Sequence, residues 1–330
     1  MSNVGDREVI VKDVHKYFGK KHVLKGISFH LPDEENLAII GPNGSGKTTL
    51  LRTLASIYLP DKGSIQIGRY DLVTQTREAR SLLSYVSPNL SFHKKLTLRE
   101  TLDYFSSLQG VSWHDQDDLM DKVDLSKMLD SPIEGFSEGQ KAMTRFVIAL
   151  MKKPKILVLD EITATLDVKK KESVIQYIYD LDKKRGLTIL LIDHDPSVVD
   201  RLCEKLLLMT RDGKVMDYGD THEIIKQIPY AFDIKVVPNP SIDVNKFVQE
   251  LGFPYRTMGQ LVQLYAETKD EVDEITSELL RRKWKGKEGQ EILEFNVSAL
   301  SMEDIYWHYL LLLNIPIEDR TKGESVGKFS

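Results

Sequence analysis

Gly41-Pro42-Asn43-Gly44-Ser45-Gly46-Lys47-Thr48 is the stretch whose residue types and spacing carry the most chemistry. It fits a glycine, four free positions, and then Gly-Lys-Thr. Glycines let successive backbone N–H groups close around one anion, because they reach conformations that a Cβ forbids. A helix starting here would add the positive end of its dipole. Lys47 is expected to reach the β- and γ-phosphates of a nucleotide, and Thr48 to offer its hydroxyl to Mg2+. Asp160-Glu161 ends an apolar run. A carboxylate at that place, facing a phosphate loop, can hold Mg2+ through water, and its neighbour can orient or deprotonate an attacking water. His194 ends a second apolar run in the same way. Alone, Asp-Glu is a common surface turn and a lone histidine is usually structural; the loop at 41–48 is what raises all three.

These groups need elements to hold them. Leu37-Ala38-Ile39-Ile40 reads as a buried strand entering the loop, and Thr49 to Leu54 as the helix leaving it. Lys155-Ile156-Leu157-Val158-Leu159 and Thr188 to Ile192 are continuous apolar runs, as parallel strands buried on both faces require. Val9 to Val14 and Ile27 to Leu31 read as strands of a small antiparallel sheet, and Gly63 to Gly68 as another strand. Helical periodicity covers Leu98 to Leu108, Asp118 to Leu129 and Gln140 to Met151, the last with Ser137 as N-cap. Strands alternating with helices predict an α/β domain.

Near residue 230 the character changes. Pro229, Pro238 and Pro240 bracket a strand at Phe232 to Val237. Helices at Val244–Leu251, Lys269–Lys283 and Met302–Leu313 alternate with strands at Gln260–Ala266 and Glu291–Val297. Thr268 and Glu271 predict a capping box, and Val272, Ile275, Leu279 and Leu280 one apolar face. Ser301 is the expected N-cap of the last helix. The polar tail from Glu318 to Ser330 is expected to be disordered.

Taken together, the motifs resemble those of an ATP-binding-cassette (ABC) ATPase over about residues 8–225. Gly41 to Thr48 looks like the Walker A loop, and Ile156 to Asp160 with Glu161 like Walker B plus the catalytic glutamate. Phe136-Ser137-Glu138-Gly139-Gln140 resembles the LSGGQ signature, and Ala164-Thr165-Leu166-Asp167 the D-loop. His194 looks like the switch histidine, and Tyr17-Phe18-Gly19 like the step whose ring stacks on adenine. Phe18 is the expected ring, with Tyr17 as the alternative. The resemblance implies ATP and Mg2+ as cofactors, catalysis by Glu161, His194 and Lys47, and metal binding by Thr48 and Asp160. Nucleotide contacts are expected from Phe18, Gly41, Pro42, Asn43, Gly44, Ser45, Gly46, Lys47, Thr48 and Thr49. Ser137, Gly139, Gln140 and Asp167 are also expected to bind nucleotide, Ser137 and Gly139 in the site of a second copy.

Three departures stand out. Glu138 replaces a signature glycine, and Ile162 stands where proline is usual. Pro88, in Tyr85-Val86-Ser87-Pro88-Asn89, falls where the family has a glutamine that touches Mg2+ and water. Proline has no donor to offer; Asn89 is the one nearby amide. Further on, Leu300-Ser301-Met302-Glu303-Asp304-Ile305-Tyr306 resembles a segment near the end of many type-2 ABC exporter ATPases.

Composition sets the outer limits. The chain has 330 residues and a net charge of −5, which argues against nucleic acid held by bulk charge. Its one cysteine, Cys203, excludes an intrachain disulfide and reads as a small buried hydrophobe. No leader or membrane-spanning run is visible, Tyr309 to Leu313 being too short. The expected fold is an ABC-type P-loop NTPase domain, a mixed α/β sheet with an N-terminal antiparallel subdomain and a helical subdomain at about 88–150. It spans residues 1–228, and a small C-terminal α/β domain spans 229–330. The expected protein is a cytoplasmic ATPase subunit, homodimeric, on the inner face of a membrane through a separate permease, with export as the expected direction. The alternatives are a soluble ABC protein acting on ribosomes or DNA and a weakly hydrolysing regulatory switch.

Overall fold

A computed structural model describes residues 5–283, 291–312 and 324–327. The chain divides into two compact units, Met1–Ile224 and Ile225–Ser330.

In the first unit, β1 (Val9–Phe18) and β2 (Lys21–Leu31) pair antiparallel, and β3 (Leu37–Ile40) leads into α1 (Lys47–Leu54). β4 (Lys62–Ile67) and the short β5 (Tyr70–Asp71) complete an antiparallel sheet of order β2-β1-β4-β5. Then come α2 (Thr76–Leu82), β6 (Leu83–Val86), α3 (Leu98–Gln109), α4 (Asp117–Lys122) and α5 (Glu138–Leu150). β7 (Ile156–Asp160), α6 (Val168–Arg185), β8 (Thr188–Ile192), α7 (Pro196–Leu202), β9 (Lys205–Met209) and β10 (Val215–Asp220) follow. Last, α8 (Thr221–Lys226) crosses the division between the units.

The main sheet has the order β10-β9-β3-β8-β7-β6, parallel except for β10. β3, β7 and β8 are buried at every position, as their unbroken apolar runs predict. The loops after these three strands therefore open at one edge of the sheet, where strand order reverses around β3. One apolar core joins the two sheets through Leu24, Ile27, Leu50, Leu54, Ile65 and Val158. Cys203 is buried, which pushes its thiol pKa up.

The helical segment differs from expectation at Asp118–Leu129. α4 ends at Lys122; Asp124 takes a left-handed φ of 59°, and only a short 3-10 turn, Ser126–Met128, follows. The Leu125 N–H donates back to the Met120 carbonyl at 2.9 Å, closing the helix end and burying Leu125. Capping boxes hold the starts of α3, through Thr97 and Glu100, and α5, through Ser137 and Gln140.

In the second unit, β11 (Phe232–Pro238), α9 (Val244–Leu251), β12 (Tyr255–Met258), β13 (Leu261–Ala266), α10 (Lys269–Lys283), β14 (Ile292–Ala299), α11 (Met302–Leu312) and β15 (Glu324–Gly327) follow in order. They form an antiparallel sheet of order β14-β11-β13-β12-β15. Within the tail, Glu324–Gly327 pairs with β12 and is a strand; backbone pairing along a sheet edge needs no apolar side chains, so the polar composition hid it. The rest of the tail lies outside the described residues. One face of the sheet packs Ile234, Val236, Leu264, Phe247, Ile275 and Leu279 into a core. Leu280 is 46% exposed and does not share the apolar face of α10: it stands roughly 100° around the helix from Leu279, off the stripe that Ile275 and Leu279 define. Thr268 accepts from the Glu271 N–H at 3.3 Å, while the Glu271 carboxylate reaches the Glu267 N–H instead of closing the box on Thr268.

The other face carries buried polar groups. Gln263 Nε2 donates to Asp233 at 3.4 Å and to Asp304 at 3.5 Å, and Lys235 lies 3.4 Å from Asp233. Burial, then the Asp304 carboxylate, pushes the Asp233 pKa up to about 6, against the pull of Lys235. Burial pushes His308 down to about 4. Between these values the two groups oppose each other. Asp233 contributes most at low pH, and that contribution is lost as pH rises through about 6; His308 contributes most above its ordinary value near 6.5, and that is lost as pH falls toward 4. Asp233→Asn should therefore leave a unit whose stability climbs with pH from about 4 to 6.5, gaining up to about 3 kcal/mol over the parent at pH 7. Calorimetric melts at pH 4.5 and 7 check this; a variant no more stable than the parent at pH 7 would contradict it.

Candidate nucleotide site

The loop after β3 is shaped by its glycines. Gly44 and Gly46 take φ values of 84° and 99°, conformations that side-chain-bearing residues rarely adopt. At Gly41 a Cβ would sit 2.6 Å from the Met209 carbonyl oxygen and 3.0 Å from Ser45 Oγ. Gly46 is the N-cap of α1 and supplies no side-chain cap, so the first N–H groups of that helix have no side-chain acceptor at the cap. Ser45 is buried, and its Oγ has no hydrogen-bond partner among the described residues. Lys47 Nζ donates to the carbonyls of Gly41 at 2.7 Å and Pro42 at 3.2 Å, so the cation lies across the mouth of the loop. An uncapped helix start, a buried hydroxyl lacking a partner and a lysine over the loop fit a phosphate group.

Thr48, one turn position later, points toward β7. Its Oγ1 donates to Asp160 Oδ1 at 3.4 Å, and Tyr85 on β6 donates through its hydroxyl to Asp160 Oδ2 at 2.7 Å. Asp160 is 2% exposed; burial raises its pKa, the Tyr85 hydrogen bond works against this, and the adjacent Glu161 adds to it. Burial pushes Tyr85 up to about 12, so it stays a donor. Hydroxyl plus carboxylate is a hard oxygen set suited to Mg2+, which commonly takes one or two protein ligands beside phosphate and water. No group of three or more His, Cys, Asp or Glu able to hold a metal occurs among the described residues.

Glu161 follows with φ 53°, unusual for a residue with a side chain. Its N–H donates to the Ile192 carbonyl at 3.0 Å, tying it to the end of β8. His194 Nε2 lies 3.1 Å from Glu161 Oε1, and both side chains are about half exposed. Behind them, Thr163 donates to Asp193, and Ile162 is buried where a proline was the expected residue. The structure thus gathers Lys47, Thr48, Asp160, Glu161 and His194 from three strand ends.

A second group sits at the start of α5. Ser137 Oγ accepts from the Gln140 N–H at 3.2 Å, and Gln140 Oε1 accepts from the Ser137 N–H at 2.8 Å. A Cβ on Gly139 would come within 2.9 Å of the Thr165 carbonyl, so this glycine lets the helix start approach the 164–167 segment. Asp167 caps α6, accepting from the Lys170 N–H at 3.0 Å. Glu138 is exposed and pairs with Lys141 at 2.8 Å. Phe18 is 42% exposed with Tyr58 against its edge, whereas Tyr17 stacks on His22 with ring centroids 4.0 Å apart. Lys16 Nζ lies over the Phe18 ring, 5.7 Å from its centroid, and Phe18 is the more exposed of the two rings. Asn43 is exposed, Thr49 half-buried. Asn89 is exposed, and its N–H donates to Ser87 Oγ at 3.2 Å. Tyr85 is not among the site residues expected from the sequence; a polar residue near the end of a strand neighbouring Asp160 was the available signal for it.

The protein-family profile described as ABC transporter matches residues 24–164. The chain is 30% identical over 226 residues to the methionine import ATP-binding protein MetN of Thermobifida fusca, covering 65% of this chain and 70% of that one. It is 26% identical over 221 residues to the linearmycin resistance ATP-binding protein LnrL of Bacillus subtilis, covering 66% and 70%. A solved structure described as the dimeric post-hydrolysis state of an ATP-binding cassette bound to ADP and Pi superposes with a TM-score of 0.57 at 23% identity, covering 64% of this chain and 98% of that one.

Proposed function

The chain belongs to the family of ABC transporter ATP-binding subunits, ATPases whose turnover is coupled to transport, and from that premise we propose that it works as half of an ATP-driven dimer energising a separate membrane permease, in the exporting direction. The observation that carries this reading is the pairing, in one chain, of a phosphate-shaped loop flanked by Asp160, Glu161 and His194 with an exposed helix start at Ser137 and Gly139. Two copies would sandwich two ATP molecules, each between Lys47 of one copy and Ser137 of the other. Gly41 to Thr49 would hold the phosphates and Phe18 the adenine. Thr48 and Asp160 would hold Mg2+, which neutralises the phosphate charge that builds up during transfer. Glu161 would orient and deprotonate the attacking water, and His194, hydrogen-bonded to it, would fix its carboxylate. ATP that binds only the closed pair favours that pair, and hydrolysis reopens it.

Residues 1–228 would carry this machinery, and 229–330 dimer contacts or regulation. A groove of about 470 Å3 lined by Phe92, Lys94, Glu138 and Arg145 is the proposed permease contact. Arg145 Nε donates to the Leu90 carbonyl at 2.8 Å, which ties the segment after Pro88 to α5. With Pro88 unable to donate, this segment serves as a mechanical link and Asn89 not as a metal ligand. Among the described residues no helix is long and apolar enough to cross a membrane, so attachment would be through the permease.

Export is supported by the segment Leu300 to Tyr306 and by the relative named for linearmycin resistance. Import is the second reading, favoured by the relative named for methionine import. Affinity purification of the tagged chain from native membranes should recover one integral membrane chain, and vesicles holding the pair should move its cargo away from the ATP side. Recovery with ribosomes and no membrane chain would overturn the transporter reading; cargo movement toward the ATP side would overturn export alone.

A further inference from the structure

We propose that Tyr85 is a positioning residue that sets the Asp160 carboxylate for the metal. Tyr85 pairs with Val158 across β6 and β7, so Asp160 is its diagonal neighbour two residues along the same face. The ring is partly buried against the main core, which fixes where its hydroxyl ends. That hydroxyl donates to Asp160 Oδ2 at 2.7 Å. Arg52 on α1 approaches the same hydroxyl oxygen at 3.5 Å, the outer limit of a hydrogen bond. Arginine can only donate, so a tyrosine oxygen facing it turns its own proton the other way, toward Asp160.

The result is a carboxylate with one donor on each oxygen. Tyr85 holds Oδ2, and Oδ1 is left toward Thr48 Oγ1 at 3.4 Å. The two oxygens proposed as metal ligands thus face each other because a third group, on an edge strand outside the recognised motifs, fixes the rotation of Asp160. Without the Tyr85 hydroxyl, Asp160 would rotate and its buried Oδ2 would lose its donor. The loss should fall on the metal and not on the nucleotide.

The inference rests on the proposed Mg2+ site, and the test separates the two. Mn2+ serves as probe, titrated into the ATP complex of the full chain carrying Glu161→Gln and followed by electron paramagnetic resonance of the protein-bound ion. Adding Tyr85→Phe should weaken Mn2+ about three- to tenfold, with ATP affinity in EDTA unchanged within about twofold. Unchanged Mn2+ affinity, or an equal loss of ATP affinity in EDTA, would overturn the role. If Tyr85→Phe does not fold, Arg52→Met carries the test: weakening of about two- to threefold supports the role, and no change overturns it. An Asp160→Asn control with parental Mn2+ affinity would instead sink the metal site itself, and the role of Tyr85 with it.

Discussion

Replacing Glu161 by glutamine should leave ATP binding intact and slow steady-state hydrolysis at least about a hundredfold. Glutamine keeps the shape of the side chain and can still hydrogen-bond His194, now 3.1 Å from Glu161 Oε1. What it loses is the ability to take a proton. The left-handed backbone at Glu161, φ 53°, is held by the bond from its N–H to Ile192, which the substitution does not touch. The folded frame should therefore survive and the loss should appear in turnover alone. Matched ATP-binding and ATPase measurements check this; a variant hydrolysing at the parental rate would remove Glu161 from the role of base.

Lys47→Ala should abolish measurable turnover, because the loop loses its phosphate-facing charge, and should weaken ATP as well. The Lys47 Nζ lies against the Gly41 and Pro42 carbonyls, within the loop that would seat a phosphate. A charge-assisted hydrogen bond of this kind is worth about 1.5–3 kcal/mol, and its loss weakens the bound nucleotide roughly tenfold to a hundredfold. The same bonds brace the loop itself, so a thermal melt of the variant should accompany the titration. ATP affinity equal to that of the parent would contradict the assignment.

The residues that line the candidate site were legible because their chemistry requires a fixed order along the chain. Gly41 to Thr48, Asp160-Glu161 and His194 each stand at the end of an apolar run, and buried parallel strands announce themselves by such runs. Tyr85 was not legible as part of the site, since its role comes from a hydrogen bond to Asp160 that spans 75 residues of sequence. The α4 boundary was missed because apolar spacing continues through Val123 and Leu125, while the left-handed turn at Asp124 is a matter of backbone conformation. α6 was obscured by its lysines; only Val174, Ile175, Ile178 and Leu181 face inward on 18 residues. In the second unit β12 and β15 escaped notice because a four-residue strand has too little alternation to stand out.

In the proposed dimer Lys47 of one copy and Ser137 of another share an ATP. Sedimentation of the Glu161→Gln protein with and without Mg2+–ATP tests it most directly. A two-chain species should form only when ATP is present and be lost again when Ser137→Arg is added to the same protein. A species that stays single with saturating ATP, or pairs equally well without ATP and with Ser137→Arg, would contradict it.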